Sequence, residues 1–398
     1  MQLDERDVFG KSSGKKPAKK IPPQRKNFIP EVQEVSLPPV SKNSALPKNK
    51  ASIKISFDKA NVLGLLDKIF DWSFYALIFL LPLYFSPFIQ DTIEFAKQQM
   101  LFAGVFWLTV ISLARAIISE KIQFKGSLVM IGLIAILLTT FVSSITSVYP
   151  YSSFFGVDRH HAMSFATLAS LAIFAILATH TLTAKHLLRA WYLLLGSFVI
   201  GTILTLLQLL GVFLLPWQFA KSAAFTPFGI HDLWGVALSF GVITSVSLLL
   251  RLSLGEDRYK QPISIALAAT VGLFLICLII LDDWRLWLMV IVGLVTTLCL
   301  LFWRLPQDKK IVWLVLPSFI IVLAATMMVV HPQRLISLPV SAQPTLKTSA
   351  LIAWDSLKSA PLFGYGPGSF FAAYSQHKPG EINKANIFNL WSARFEQS

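Results

Sequence analysis

A chain of 398 residues with 55% hydrophobic and 14% charged residues and a mean hydropathy of +0.63 is not an ordinary soluble globular protein. Several long uncharged runs mark it as an integral membrane protein. A net charge of +14 would suit a nucleic-acid binder, but the basic residues are not interleaved with aromatics, and no nucleic-acid partner is expected. The cysteines Cys277 and Cys299 both fall in apolar runs, which suggests neither a disulfide framework nor a metal-ligand spacing.

Residues 1–70 hold 14 Lys/Arg against 7 Asp/Glu. Residues 1–60, with Pro22, Pro23, Pro30, Pro38 and Pro39 and no apolar periodicity, read as a disordered basic tail, held in the cytoplasm by the positive-inside rule and attracted to anionic lipid. Val62, Leu65, Leu66, Ile69 and Phe70 form a helical stripe. Residues 61–71 are therefore expected to lie as an interfacial helix on the inner leaflet.

Residues 72–330 then read as a bundle of nine transmembrane helices, an all-α polytopic fold. The spans fall near 72–89, 100–118, 127–145, 162–182, 190–210, 233–250, 263–281, 286–303 and 311–330, each of a length suited to a bilayer about 30 Å thick. Trp72, Tyr84, Trp191, Trp217, Trp234, Trp284, Trp303 and Trp313 stand near span ends, where amphipathic rings favour the headgroup region.

Loop charge gives the sidedness independently. Arg115, Lys121 and Lys125, then Lys185 and Arg189, then Arg251, Arg258 and Lys260, then Arg304, Lys309 and Lys310 mark the basic connections. They alternate with connections holding Asp91 and Glu94, Asp158 and Arg159, Lys221 and Asp232, and Asp282, Asp283 and Arg285. With the basic tail inside, nine spans deliver residues 331–398 to the outside as the start of a large, incomplete extracytoplasmic loop.

Three outward features carry candidate chemistry. Tyr149-Pro150 leads to Gly156, Asp158, Arg159, His160 and His161, where the arginine fork suits phosphate or carboxylate and the segment equally suits anchoring at the interface. Adjacent histidines point to different sides of a helix and make a poor metal pair. Asp282-Asp283-Trp284-Arg285 joins two spans by a very short turn, and Arg285 either closes that turn through its aspartates or offers its fork to a ligand.

The third feature is an amphipathic helix carrying Leu346, Ala350, Ala353, Trp354 and Leu357 on one face, ended by Pro361. The turn Pro361-Leu362-Phe363-Gly364-Tyr365-Gly366-Pro367-Gly368-Ser369-Phe370 follows. Its glycines admit backbone conformations closed to other residues and could bring N–H groups to a ligand; the same spacing is that of a tight turn after a surface helix. Tyr374, His377 and Lys378 come next.

In order and common sidedness, these residues resemble the O-antigen ligase and polymerase (Wzy/WaaL-like) superfamily of bacterial membrane glycan transferases, over residues 72–398. The resemblance carries a Tyr-Pro turn with Phe155-Gly156 and Arg159 before a span, a short outer turn with Arg285, and the Gly-rich turn in a large outer loop. It implies a site in the bacterial cytoplasmic (inner) membrane, where a glycan passes from an undecaprenyl-diphosphate carrier to an acceptor hydroxyl on a glycan, lipid or protein at the outer face. No metal or cofactor is implied.

Arg159 and Arg285 would bracket the diphosphate, with Lys347, Gly364, Gly366 and Arg394 as further substrate contacts. A general base is expected of a His beyond a segment like 389–395, hence past Ser398, so the chain reads as C-terminally truncated. His377 precedes that segment and is not the expected base. Departures from the family pattern are Trp284, where a Ser is common, and Lys347, which lacks the planar fork of the usual Arg. A polymerase or a protein O-glycosyltransferase would share these motifs; a flippase, transporter or inactive fragment is the reading without an enzyme.

Overall fold

The computed structural model describes residues 59–89, 92–120, 128–156, 163–253, 261–303, 310–330 and 346–378, all within one compact unit, Phe57–Ser398. The expected tail before Lys59, the segment 157–162 with Asp158, Arg159, His160 and His161, and the segment 379–398 with Arg394 lie outside the described residues.

Among the described residues the chain is all-helical: α1 (Lys59–Leu80), α2 (Glu94–Ser119), α3 (Leu128–Ile145), α4 (Pro150–Phe155), α5 (Phe165–Thr181), α6 (Ala184–Leu209), α7 (His231–Ser253), α8 (Gln261–Leu281), α9 (Trp284–Phe302), α10 (Lys310–Val330), α11 (Leu346–Ser359) and α12 (Phe370–His377). Six of these, α2, α3, α6, α7, α8 and α9, are long and apolar enough to cross a membrane, the build of a polytopic membrane protein. The apolar parts of α5 and α10, Phe165–His180 and Leu314–Val330, are shorter.

The first predicted span is where expectation and structure part. The stripe at 61–71 and the start of the span at 72–89 form one continuous helix, α1, which stops at Leu80. Pro82 accounts for the stop, since it has no N–H for the ladder and its ring crowds the carbonyl one turn back. Asp67, Lys68 and Asp71 lie on the same helix. They explain why α1 is not among the six apolar spanning helices. Several other helices begin before their apolar runs: α2 starts at Glu94 and α6 at Ala184. Polar first turns that propagate a helix at no apolar cost escape a hydropathy window.

Two apolar cores hold α1, α2 and α5–α10. The larger joins α6, α7, α8, α9 and α10 around the fully buried Trp234, Trp287, Phe274, Leu238, Leu278, Leu294 and Ile320. The smaller joins α1, α2 and α6 through Phe70, Phe74, Leu77, Leu108, Ile111 and Ala190, with Phe174 of α5 stacked on Phe74 at 4.9 Å between ring centroids. At one end of the bundle the irregular segment after α1 and the long connection between α6 and α7 interlock. Phe85 meets Trp217, Phe219 and Phe225 edge-on at 5.6, 6.2 and 5.5 Å. The opposite end carries the ion pairs Lys59–Glu120 at 2.9 Å and Arg115–Asp67 at 2.9 Å. The lysine's hydrogen bond holds the exposed Glu120 carboxyl below its ordinary pKa.

Candidate functional site

Two segments more than 200 residues apart in sequence meet at the end of α3. After Ile145 the chain bends, and Pro150 takes the first position of α4, where a missing N–H leaves nothing unsatisfied. Gly156, at φ 80°, ends α4 with its N–H on the Ser152 carbonyl at 2.8 Å. From the other side, α11 ends at Ser359 and leads into a turn whose Gly364, Gly366 and Gly368 all have positive φ, 64°, 95° and 70°. Side-chain-bearing residues rarely adopt that region, so the glycine spacing has a backbone cause.

Serine hydroxyls fasten this turn. Ser143 Oγ donates to the Phe363 carbonyl at 2.6 Å and Ser147 Oγ to the Tyr365 carbonyl at 2.5 Å. Ser153 Oγ donates to Ser147 Oγ at 2.7 Å, and the Tyr149 N–H reaches the same oxygen at 3.1 Å. Gly366 sits directly on this serine pair. A Cβ there would lie 2.7 Å from Ser147 Cβ and collide with Ser153 Oγ. The close approach that Gly366 permits is thus made by the protein's own α3–α4 corner. The Gly364 N–H is taken by the Ala360 carbonyl at 3.0 Å.

The turn also ties α11 to α12. Ile352, Ala373 and Tyr374 form a small core with Tyr365 and Phe370 beside it, and burial raises the pKa of the Tyr374 phenol. The Tyr365 hydroxyl donates to Gln376 Oε1 at 2.7 Å and lies 2.8 Å from His377 Nε2. Ser359 Oγ is 3.2 Å from that hydroxyl and 3.3 Å from the histidine nitrogen. His377 is therefore part of the latch that closes the two-helix unit. Lys347 stands exposed in the first turn of α11.

Arg285 has a different setting. Only Asp282 and Asp283 separate α8 from α9, and Asp282 takes φ 45° to make the reversal. Asp283 caps α9, its Oδ1 accepting the Arg285 N–H at 2.9 Å. The same carboxylate receives Arg285 Nε at 2.9 Å and Nη2 at 2.6 Å, and Asp232 of α7 stands 3.7 Å from Nη2. Turn closure, one of the two readings of this arginine from sequence, is the contact formed. The guanidinium still has 55% of its side-chain surface exposed, so the pairing leaves it open to solvent.

Sequence reasoning passed over the residues that connect these places. Gln98 of α2 donates through Nε2 to Thr167 Oγ1 at 2.9 Å and Ser164 Oγ at 3.2 Å on α5, with the Phe155 carbonyl of α4 at 3.4 Å. Its neighbour Lys97 donates to the Pro227 carbonyl at 2.5 Å and lies 5.9 Å from the Phe228 ring centroid, just ahead of α7. Polar contacts of adjacent α2 residues thus reach α4 and α5 through Gln98 and the segment just before α7 through Lys97. The signal in sequence was the polar run Glu94, Lys97, Gln98 before an apolar stretch.

Of the candidate substrate contacts, Gly366 is brought against the α3–α4 corner that ends at Gly156, Gly364 lies in the same turn with open space at its Cβ position, Arg285 is held by Asp283 of the α8–α9 turn with Asp232 of α7 nearby, and Arg159 and Arg394 are outside the described residues. Among the described residues no group of three or more His, Cys, Asp or Glu is placed to hold a metal ion. No protein-family model, no curated protein and no solved structure matches the chain.

Proposed function

We propose that this protein transfers a glycan from an undecaprenyl-diphosphate carrier to an acceptor hydroxyl at the outer face of the bacterial cytoplasmic membrane, in the manner of an O-antigen ligase. Nine spans with the N-terminus inside are part of the proposal. The observation that supports it best is the docking of the Gly-rich turn on the Tyr149–Pro150 corner through Ser143 and Ser147. Two motifs of the resemblance, remote in sequence, are then parts of one surface.

In the proposed reaction the acceptor oxygen bonds to the anomeric carbon as the bond from that carbon to the carrier diphosphate breaks. The hydroxyl proton passes to a base, and the diphosphate leaves with its charge held by cations. Arg159, three residues beyond Gly156, and Arg285 are the proposed diphosphate contacts, with Lys347 and Arg394 as further cations. A polymerase or protein O-glycosyltransferase would differ only in its acceptor.

Membrane vesicles or cells making the lipid-linked glycan test the proposal. Arg285→Lys keeps the charge and loses the bidentate fork, so transfer should fall at least tenfold while the amount of inserted protein stays unchanged. Arg159→Ala should leave carrier-bound glycan accumulating on the outer leaflet. Accumulation on the inner leaflet would assign a flippase instead, and undiminished transfer in both variants would remove the arginines from the site.

A further inference from the structure

The α11 helix has three faces. Ile352 and Ser356 are buried toward α12. Asp355 and Thr348 lie half-buried on the polar side, with Leu351, 46% exposed, between them. The third face, formed at spacings of three and four by Leu346, Ala350, Ala353, Trp354 and Leu357, is exposed along its whole length, with Leu346 at 76% and Trp354 at 59% of full accessibility. The turn extends it with Leu362 at 86% and Phe363 at 46%. Water is a poor surrounding for such a continuous strip on a helix of fourteen residues.

Two observations say what covers it. The strip is flanked along one border by Lys347 and Lys358, and Lys358 lies 5.7 Å over the Trp354 ring and 3.4 Å from Asp355 Oδ1 on the polar side. An apolar face with tryptophan and bordering lysines is the pattern of a helix lying in a lipid–water boundary, where aliphatic stems sink and ammonium groups reach headgroup phosphates. The strip is also continuous with a surface of the spanning bundle. Ser143 of α3 holds the Phe363 carbonyl, and beside it Phe141, Val142 and Ile145 are exposed at the same end of α3. That helix has only Ser144 buried among its eighteen residues, so most of its apolar surface is left exposed, as a membrane-spanning helix at the edge of a bundle would leave it.

We infer that α11 is an interfacial helix whose Leu346–Leu357 face is immersed in the bilayer surface next to α3, its occupant being phospholipid. The serine bonds to Phe363 and Tyr365 then set the depth of the Gly-rich turn at headgroup level. The inference stands whether or not the chain transfers glycan. If it does, a lipid-borne diphosphate would meet the turn without leaving its own depth in the membrane.

Full-length protein carrying Cys277→Ser and Cys299→Ser, with a single spin-labelled cysteine at Leu357 or Asp355, tests this in vesicles of phosphatidylethanolamine and phosphatidylglycerol. Collision with oxygen, concentrated in lipid, is compared with collision with a water-soluble nickel chelate. At Leu357 the oxygen effect should exceed the nickel effect several-fold, and at Asp355 the order should reverse. Strong nickel access at both positions would place α11 in water, and access of neither probe at Leu357 would mean another protein segment covers the face. Either result overturns the inference. A photo-crosslinking residue at the same two positions, with both cysteines retained, gives an independent reading: lipid adducts from Leu357 alone are expected, and their absence counts against the proposal.

Discussion

The α6–α10 half of the bundle and the α3–α4–α11–α12 end are built by different means. In the first, large apolar side chains are fully enclosed, and helices come close where a glycine faces a bulky neighbour, Gly241 against Phe274 and Gly235 against Leu286. Small residues permit that approach where lipid tails leave little hydrophobic drive between helices. In the second, α3 buries only Ser144, and the joint to the α11–α12 unit is made by hydroxyl-to-carbonyl bonds from Ser143 and Ser147. Close packing fixes whether the bundle holds together; the serine bonds fix where one turn sits upon it. Such bonds orient the turn by their direction although each contributes modestly to stability.

The sharpest way to break the comparison is at Phe274, fully buried and set against Gly241 of the neighbouring helix. Phe274→Ala leaves a cavity in a site with little room to collapse. A loss of about 3–5 kcal/mol is expected, read as a large fall in the thermal midpoint of the full chain in detergent. A midpoint close to that of the unaltered protein would mean the α7–α8 contact is not the cooperative core.

The second change should be local. Gly366→Val places a branched side chain at φ 95° and against Ser147 and Ser153. The strain, about 1–3 kcal/mol, is relieved by lifting the turn from α3 while the apolar core stays intact. Hydrogen exchange in α11 and α12 should therefore rise with little change in the midpoint of the bundle. If the midpoint instead falls as far as it does for Phe274→Ala, the turn belongs to the core and the contrast fails.

Much of this division was legible in the sequence because it rests on apolar periodicity, which sets helices irrespective of partners. Six predicted spans have counterparts in helices long and apolar enough to cross a membrane. The α11 helix and the glycine turn were also legible, since Pro361 and three glycines in five residues fix local backbone. The end of α1 was not read from hydropathy, because Leu80, Leu81 and Leu83 continue the apolar run through Pro82. Nor were Gln98, Ser143, Ser147 and Ser153. A serine or glutamine donor acquires its meaning from a carbonyl far along the chain, as Phe363 is from Ser143, and no local pattern encodes that pairing. Arg285 was legible as a short-turn arginine with two open readings, and its neighbour across α7, Asp232, was seen only as loop charge.

Asp283→Asn is the mildest change and the one that separates those two readings. Asparagine can still cap α9 by accepting the Arg285 N–H, so the substitution removes the charge and leaves the cap. Because the guanidinium is more than half exposed, the ion pair is solvent-screened, and the stability cost should stay below about 1 kcal/mol. If Arg285 serves only to close the turn, Asp283→Asn and Arg285→Lys should act alike, each slightly lowering stability and neither altering transfer. If Arg285 contacts the carrier diphosphate, the two diverge: Asp283→Asn leaves a competing carboxylate out and keeps the fork, so transfer is retained or raised, whereas Arg285→Lys lowers it. A double-mutant cycle read on both stability and transfer compares the two directly. A coupling seen in stability alone would return Arg285 to a structural role.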